Sequence, residues 1–292
     1  MEACGSSNYW ARVFQGIGHI VKLISPQHVK PFVKSQKNDR NDAEAIVEAA
    51  LRPTMRFVPI KQPWQQEIQV LHRVRTRLVH QKTAITNETR GILAEFGIIS
   101  GCGDAALQRQ TRAAIEECES GLSASIRETV QRLWSETIAI SQQIEFYTNC
   151  INNISMENKV CNRLQSVPGV GPMIATLFAS AVGDPKQFTS GRNVSAWLGV
   201  VPRQHSTGGR TVLLGITKRG DPHLRSMMVQ GARSVIFQLQ KRKTPRNSVE
   251  TWLLAKLKTK PSNKVAIALV NKNIRMMWAM MAKGEEFKPM AA

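Results

Sequence analysis

Residues 1–26, MEACGSSNYWARVFQGIGHIVKLISP, set the class of the fold at the front of the chain. Met1–Cys4 reads as the end of a strand, Gly5 and Ser6 as a turn, and a helix starts at about Asn8. Gly16 and Gly18 stop that helix, and HIVKLIS follows as a short apolar strand ended by Pro26. Strand, helix and parallel strand in this order make a right-handed crossover unit, so the front of the chain is expected to be α/β. A lone unit cannot cover both faces of a parallel sheet. The order therefore predicts a chain that begins inside a domain, through a misassigned start or a lost upstream segment.

The texture then changes to helix. From Pro63 to about Gly97 a long run carries many Arg, Lys and Gln, with Leu71, Val74, Leu78, Ile85, Ile92 and Leu93 near heptad spacing. A second amphipathic stretch runs from about Ser123 to Asn158, and the Gly-containing break GIISGCGD (97–104) lies between them. Two such helices form an antiparallel hairpin or coiled-coil arm, and a pair of core helices fits the same pattern. From Cys161 onward Gly, Ser and basic residues are dense, and turn signals alternate with short helices. The basic stretches QKRKTPR (240–246) and KLKTKPSNK (256–264) precede an apolar helix near Val265–Met281. The expected division is a partial metal-binding α/β domain at 1–60, a helical arm at 61–160, a mainly α C-terminal domain at 161–284 and a tail at 285–292.

The chain has 292 residues, enough for two or three modest cores, and its apolar fraction of 42% is ordinary for a soluble protein. Forty Lys and Arg against 21 Asp and Glu give a formal charge of +19. That field favours polyanions, with nucleic acid the leading candidate. Neither an apolar span nor a basic amphipathic helix suited to a membrane surface is evident, so no membrane partner is expected. The five cysteines (Cys4, Cys102, Cys118, Cys150, Cys161) show no CxxC pairing, which fits a reducing cytoplasm rather than a disulfide framework. The six histidines are scattered and are read as structural.

Three stretches carry chemistry. LQSVPGVGPMIATLFASAVGD (164–184) has the form of a helix-hairpin-helix. Pro168 ends one helix, Gly169, Val170 and Gly171 make the turn, and Pro172 sits where the second helix starts. Turn amides and a helix N-terminus can hold a phosphate without reading sequence; an ordinary helix–helix turn is the alternative. PRQHSTGGRTVLLGITKRGDPHLR (202–225) sets Ser206 beside Gly208 and Gly209, with Arg203, Arg210, Lys218, Arg219 and Arg225 near in sequence. A serine attacking a phosphodiester needs a close backbone approach and positive groups around the transition-state oxygens. The same composition also suits a loop that merely grips phosphate.

KNDRNDAEA (37–45) places Asp39 and Asp42 three positions apart, where an apolar run of Ala43, Ile46, Val47 and Ala50 begins. One helical turn apart, the two carboxylates point the same way and suit a hard divalent cation. Alternatively, Asp39 or Asn41 caps the helix and Asp42 complements its dipole. Glu2, at a strand end, would add a third carboxylate.

With these residues in view, the chain resembles insertion-sequence transposases that carry an Asp-Glu-Asp-Asp tetrad in a RuvC-like, ribonuclease-H-fold N-terminal domain. A helical arm and a serine-bearing C-terminal domain follow in that family. The resemblance runs in order through MEACGS, YWA, LISP, VKPFVK, KNDRNDAEAI, RPTMRFVPIK, ILAEFGI, SVPGVGP, AWLGVVPRQHSTGG and GITKRGDPHLR, essentially the whole chain. It implies that Glu2, Asp39 and Asp42 are tetrad members binding Mg²⁺ or Mn²⁺. Ser206 falls at the nucleophile that forms a covalent phosphoserine link, with Thr207 as the other occupant of that place. The tetrad's first aspartate falls upstream of Glu2, so the resemblance implies an N-terminally truncated, incomplete ribonuclease-H-like domain. It further implies element-end and target DNA as partners, an element-encoded guide RNA, a homodimer or tetramer with sites shared between protomers, and a nucleoid-associated location. A catalytically inactive DNA-binding remnant is the competing reading. A structure-specific nuclease in which Ser206 is dispensable is a third.

Overall fold

A computed structural model of the chain describes residues 1–34, 38–117 and 121–288. Lys37, Cys118 and the last four residues of the expected tail lie outside this set. The fold is mostly helical. In chain order its elements are α1 (Ser7–Gly16), β1 (Leu23–Ile24), α2 (Pro26–Val29), a 3₁₀ turn at Lys30–Phe32, α3 (Asp39–Ala50), β2 (Phe57–Val58) and α4 (Pro63–Glu95). Next come α5 (Asp104–Glu116), α6 (Ala124–Glu157), α7 (Lys159–Leu164), α8 (Pro172–Val182) and α9 (Gly191–Trp197). The strands β3 (Pro202–Thr207) and β4 (Arg210–Ile216), then α10 (Pro222–Arg242), α11 (Ser248–Leu257) and α12 (Ser262–Lys283), complete the chain.

The front keeps the expected strand–helix–strand order in reduced form. Glu2 bridges Ile24 in parallel across α1, with Ile24 N–H donating to Met1 O at 2.9 Å and Ala3 N–H donating to Ile24 O at 2.7 Å. The strand expected over HIVKLIS shrinks to Leu23–Ile24, which pairs antiparallel with β2. No larger sheet is present among the described residues. Helix α3 starts where expected, but its phase differs. Ala45 and Ala49 are buried against Ile24 and Val29, whereas Val47 is 58% exposed. Two alanines suffice because a small side chain lets the helix approach the strand closely.

Helices α4 and α6 run the length of the middle of the chain. Pro63 opens α4 at a position where its missing N–H costs nothing, and the Gln65 side chain accepts from Gln62 N–H at 2.9 Å. Leu78, Ile85 and Ile140 form the seam with Val74, Leu133, Ile144 and Tyr147. Arg75 meets Thr148 at 2.8 Å, while Leu93 packs with Val130, so the pair is antiparallel. The connection is not a bare break: α5 lies across the far end and buries Leu107 and Ala114 against Leu93 and Val130.

The largest core belongs to the C-terminal half and is built around α8, whose residues from Ile174 to Ser180 are all buried. A helix apolar on every side must be wrapped, and α6, α7, α10 and the start of α4 do this. Polar bonds key α4 onto α8: Gln65 and Gln69 amides donate to Ser180 O at 2.9 and 3.2 Å, and His72 meets Thr176 Oγ1 at 2.9 Å. Thr176 Oγ1 donates to Pro172 O at 2.8 Å, so His72 Nε2 carries the proton and donates to it.

Candidate functional site

Ser206 lies on an antiparallel β-ribbon that breaks the helical texture of the C-terminal half. Gly208 and Gly209, at φ +52° and +76°, form the two-residue turn between β3 and β4. Two consecutive positive φ angles match the right-handed twist of a hairpin, and glycine adopts them without a Cβ penalty. The signal was present in the sequence, as a Gly-Gly pair between β-prone QHST and RTVLL. The glycines therefore serve the turn rather than a phosphate-hugging loop. Every β3 residue is exposed, and so is β4 up to Ile216, so the ribbon projects from the protein.

Strand alternation sorts its side chains. Ser206 pairs with Thr211, and Gln204 with Leu213, on one face. His205 with Val212, and Thr207 with Arg210, occupy the other. The Gln204 amide donates to Ser206 Oγ at 2.7 Å. Arg210, expected beside the serine, points to the opposite face because it is paired with Thr207, and Arg203 sits at a register shift near the root. Nor is His205 placed to serve as a base for Ser206.

The remaining predicted cations sit where the ribbon joins the core. Lys218 holds a positive φ of +56° while its N–H donates to Gly199 O at 3.0 Å. Arg219 is exposed. Arg225 reaches back from α10 to donate through Nη1 to Leu198 O at 3.1 Å and Arg219 O at 2.8 Å, a structural clamp rather than a free phosphate contact.

The turn at 168–172 exists between α7 and α8, but it faces inward. Val170 is 5% exposed and its N–H donates to Val167 O at 3.0 Å. Gly169 abuts Gly231 of α10, and Asn273 donates to Pro168 O at 2.8 Å. Gly171 supplies the residue before α8, with Pro172 as its first residue. At Gly169 the close approach of Gly231 accounts for the glycine; a Cβ on Gly171 would meet nothing within 4 Å.

The carboxylates occupy the other end of the chain. Asn38 caps α3 by accepting from Asn41 N–H at 2.8 Å, so neither Asp39 nor Asn41 is the cap. Asp39 and Asp42 lie in the first turn of α3, in no ion pair among the described residues. Glu2 stands half-buried on the strand beside Ile24. Among the described residues no three acid, His or Cys side chains converge into a cation-binding group. As placed, the set does not by itself fit a divalent metal.

Where α4 meets α8, burial sets the charge state of the histidines. His72 is 2% exposed, and desolvation first, then the neighbouring His223 and Arg75, push its pKa down to about 4. Burial also lowers His223, which donates to Thr76 Oγ1 at 3.3 Å. No helix of the described residues is long and apolar enough to cross a membrane.

Comparison with known proteins gives this geometry a context. The model of the IS116/IS110/IS902 transposase family matches residues 161–246, and a second transposase model, that of the DEDD group of IS110 elements, matches residues 1–98. A probable family 20 transposase of Pseudomonas aeruginosa is 43% identical over 290 residues, covering 99% of this chain and 85% of the relative. The transposase for insertion sequence element IS1111A of Coxiella burnetii is 42% identical over 288 residues, 99% of this chain and 78% of the relative. The transposase for element IS1328 of Yersinia enterocolitica is 40% identical over 287 residues, 98% and 84% of the two chains.

Proposed function

The chain belongs to the IS110/IS116 family of insertion-sequence transposases, and from that premise we propose that it cuts and rejoins DNA through Ser206. The observation that carries the reading is the exposed Ser206 hydroxyl on a projecting ribbon, held by Gln204 at 2.7 Å. Ser206 Oγ attacks a backbone phosphorus; the new O–P bond forms as the bond to the leaving strand's oxygen breaks. The serine proton ends on that oxygen, leaving a free hydroxyl that later attacks the phosphoserine and restores the serine. One phosphodiester replaces another, so no external energy source is required. Gln204 aims the hydroxyl and stabilises the charge that grows on it.

Net charge supports DNA as the partner, and Arg203, Arg210, Lys218 and Arg219 are the cations free to meet its phosphates. Glu2, Asp39 and Asp42 are the donors assigned to Mg²⁺ or Mn²⁺, which would neutralise phosphate charge. Because they are not gathered within the described chain, no step is derived through the metal. A homodimer or tetramer, and an element-encoded guide RNA pairing with donor and target DNA, are the partners this reading assigns, in the cytoplasm.

The test is incubation of the full chain with element-junction DNA and Mg²⁺, followed by denaturing electrophoresis. A covalent protein–DNA adduct is expected for the natural chain and for Thr207→Ala, and none for Ser206→Ala. Unchanged strand exchange by Ser206→Ala would overturn the serine mechanism. A second reading, DNA binding without cleavage, is favoured by the ungathered carboxylates. It predicts duplex binding with no adduct in any variant.

A further inference from the structure

A cavity of about 800 Å³ lies where the start of α4 meets α8, α9 and the start of α10. That volume is in the range of small-ligand sites. Trp64 and Trp197 line it, and they remain 41% and 36% exposed, so each indole presents uncovered aromatic surface. Lys61 and Arg73 line it as well, alongside the carboxylates of Asp184 and Asp221; among the described residues neither cation forms an ion pair, and Lys61 Nζ donates to Gln69 Oε1 at 2.9 Å. Desolvation and the like charge of Arg73 both disfavour the charged form of Lys61, with Asp221 acting in the other direction. An anion between the two cations would relieve their repulsion.

These features restrict the occupant. A simple phosphate would satisfy the cations and leave the indoles bare. An apolar ligand would cover the indoles and leave Lys61 and Arg73 without an anionic partner. Paired duplex is too wide to enter, whereas one nucleotide turned out of its strand supplies a flat π-face and a phosphate together. Two walls of the cavity also close the root of the ribbon: Trp197 precedes Gly199, and Asp221 follows Lys218, whose N–H donates to Gly199 O.

We propose that this cavity binds a single unpaired nucleotide, its base against Trp64 and Trp197 and its phosphate on Lys61 and Arg73. The occupant is a nucleotide of the bound strand, so the proposal rests on the transposase reading and adds to it an anchor beside the root of the Ser206 ribbon.

The test compares the full chain's affinity for a duplex with one bulged, unpaired nucleotide and for the same duplex fully paired. At 1–3 kcal/mol per stacked base, the natural chain is expected to prefer the bulge about tenfold. Trp64→Ala with Trp197→Ala should abolish the preference and leave paired-duplex affinity unchanged. Arg73→Gln, at an exposed position, should reduce it and guards against a folding defect in the tryptophan variant. Nucleoside monophosphate should compete for the bulged duplex, and inorganic phosphate should not. A natural chain with no bulge preference, or a preference that survives the tryptophan and Arg73 changes, overturns the proposal. Competition by free nucleotide with no bulge preference moves the cavity's ligand from strand to free nucleotide and also overturns it. Bulge preference without a Ser206 adduct instead rejects the strand-cutting reading and leaves the cavity assignment standing.

Discussion

Gly169, in the turn before α8, and Gly231, in the middle of α10, meet backbone to backbone. A Cβ on Gly169 would lie 2.7 Å from Gly231 O, and a Cβ on Gly231 would lie closer still to Gly169 O and 2.8 Å from Ile174 Cδ1. The glycine that looked like half of a DNA-gripping turn is thus one side of a helix-packing contact inside the largest core.

Replacing a mid-helix glycine with alanine ordinarily stabilises by about 0.5–1 kcal/mol. Gly231→Ala should do the reverse, losing on the order of 2 kcal/mol through overpacking. Gly91→Ala in α4, where an added Cβ meets nothing within 4 Å, should be neutral or stabilising. Urea unfolding of both variants checks this, and equal midpoints would refute the contact.

Stability should depend on His72 in mildly acidic solution. Its pKa falls from 6.5 unfolded to about 4 folded, so the folded chain binds fewer protons between those values. Stability then falls as pH drops through about 6.5 to 4 and is flat above. The loss is on the order of 3 kcal/mol at pH 4. His72→Gln should show a smaller drop between pH 7 and pH 4, whatever its stability at pH 7; an unchanged drop would assign the effect elsewhere.

Two arginines near the serine should separate into different classes. Arg225→Ala removes the clamp on Leu198 and Arg219 carbonyls and should lower stability by about 1–3 kcal/mol. Arg210→Ala, exposed on the ribbon, should leave the melting temperature unchanged. It should reduce the salt dependence of DNA affinity by about one phosphate's worth.

Gln204→Leu should slow adduct formation by about tenfold, the equivalent of one hydrogen bond, without altering DNA affinity. A rate equal to the natural chain's would show that Gln204 does not aim the hydroxyl.

At the start of α3 the cap and the carboxylates can be told apart. Asn38→Ala should lose about 1 kcal/mol, as N-cap removal does. Asp42→Asn should cost less in stability, and if Asp42 is a metal donor it should also weaken Mn²⁺ binding read by calorimetry. Unchanged Mn²⁺ binding by Asp42→Asn would take Asp42 out of the metal assignment.

What was legible in the sequence was local. Heptad spacing marked α4 and an amphipathic pattern marked α6 nearly to the residue, Pro and Gly punctuation marked α8 and its turn, and net charge pointed to the class of partner. The motif order over the whole chain marked the family. Each signal depends on neighbours a few positions apart, which is why periodicity and turn chemistry capture them. Faces and partners were decided by tertiary structure. The buried stripe of α3 is Ala45 and Ala49 because β1 lies there. Arg210 turns away from Ser206 because a two-glycine turn fixes ribbon register. His72 is held neutral because docking α4 onto α8 buries it, with His223 and Arg75 adding to the effect; it meets Thr176, 104 positions away, and Gln65 reaches Ser180, 115 positions away. Contacts across such separations form only when whole helices dock, and docking is set by shape and burial summed over the chain rather than by any short motif.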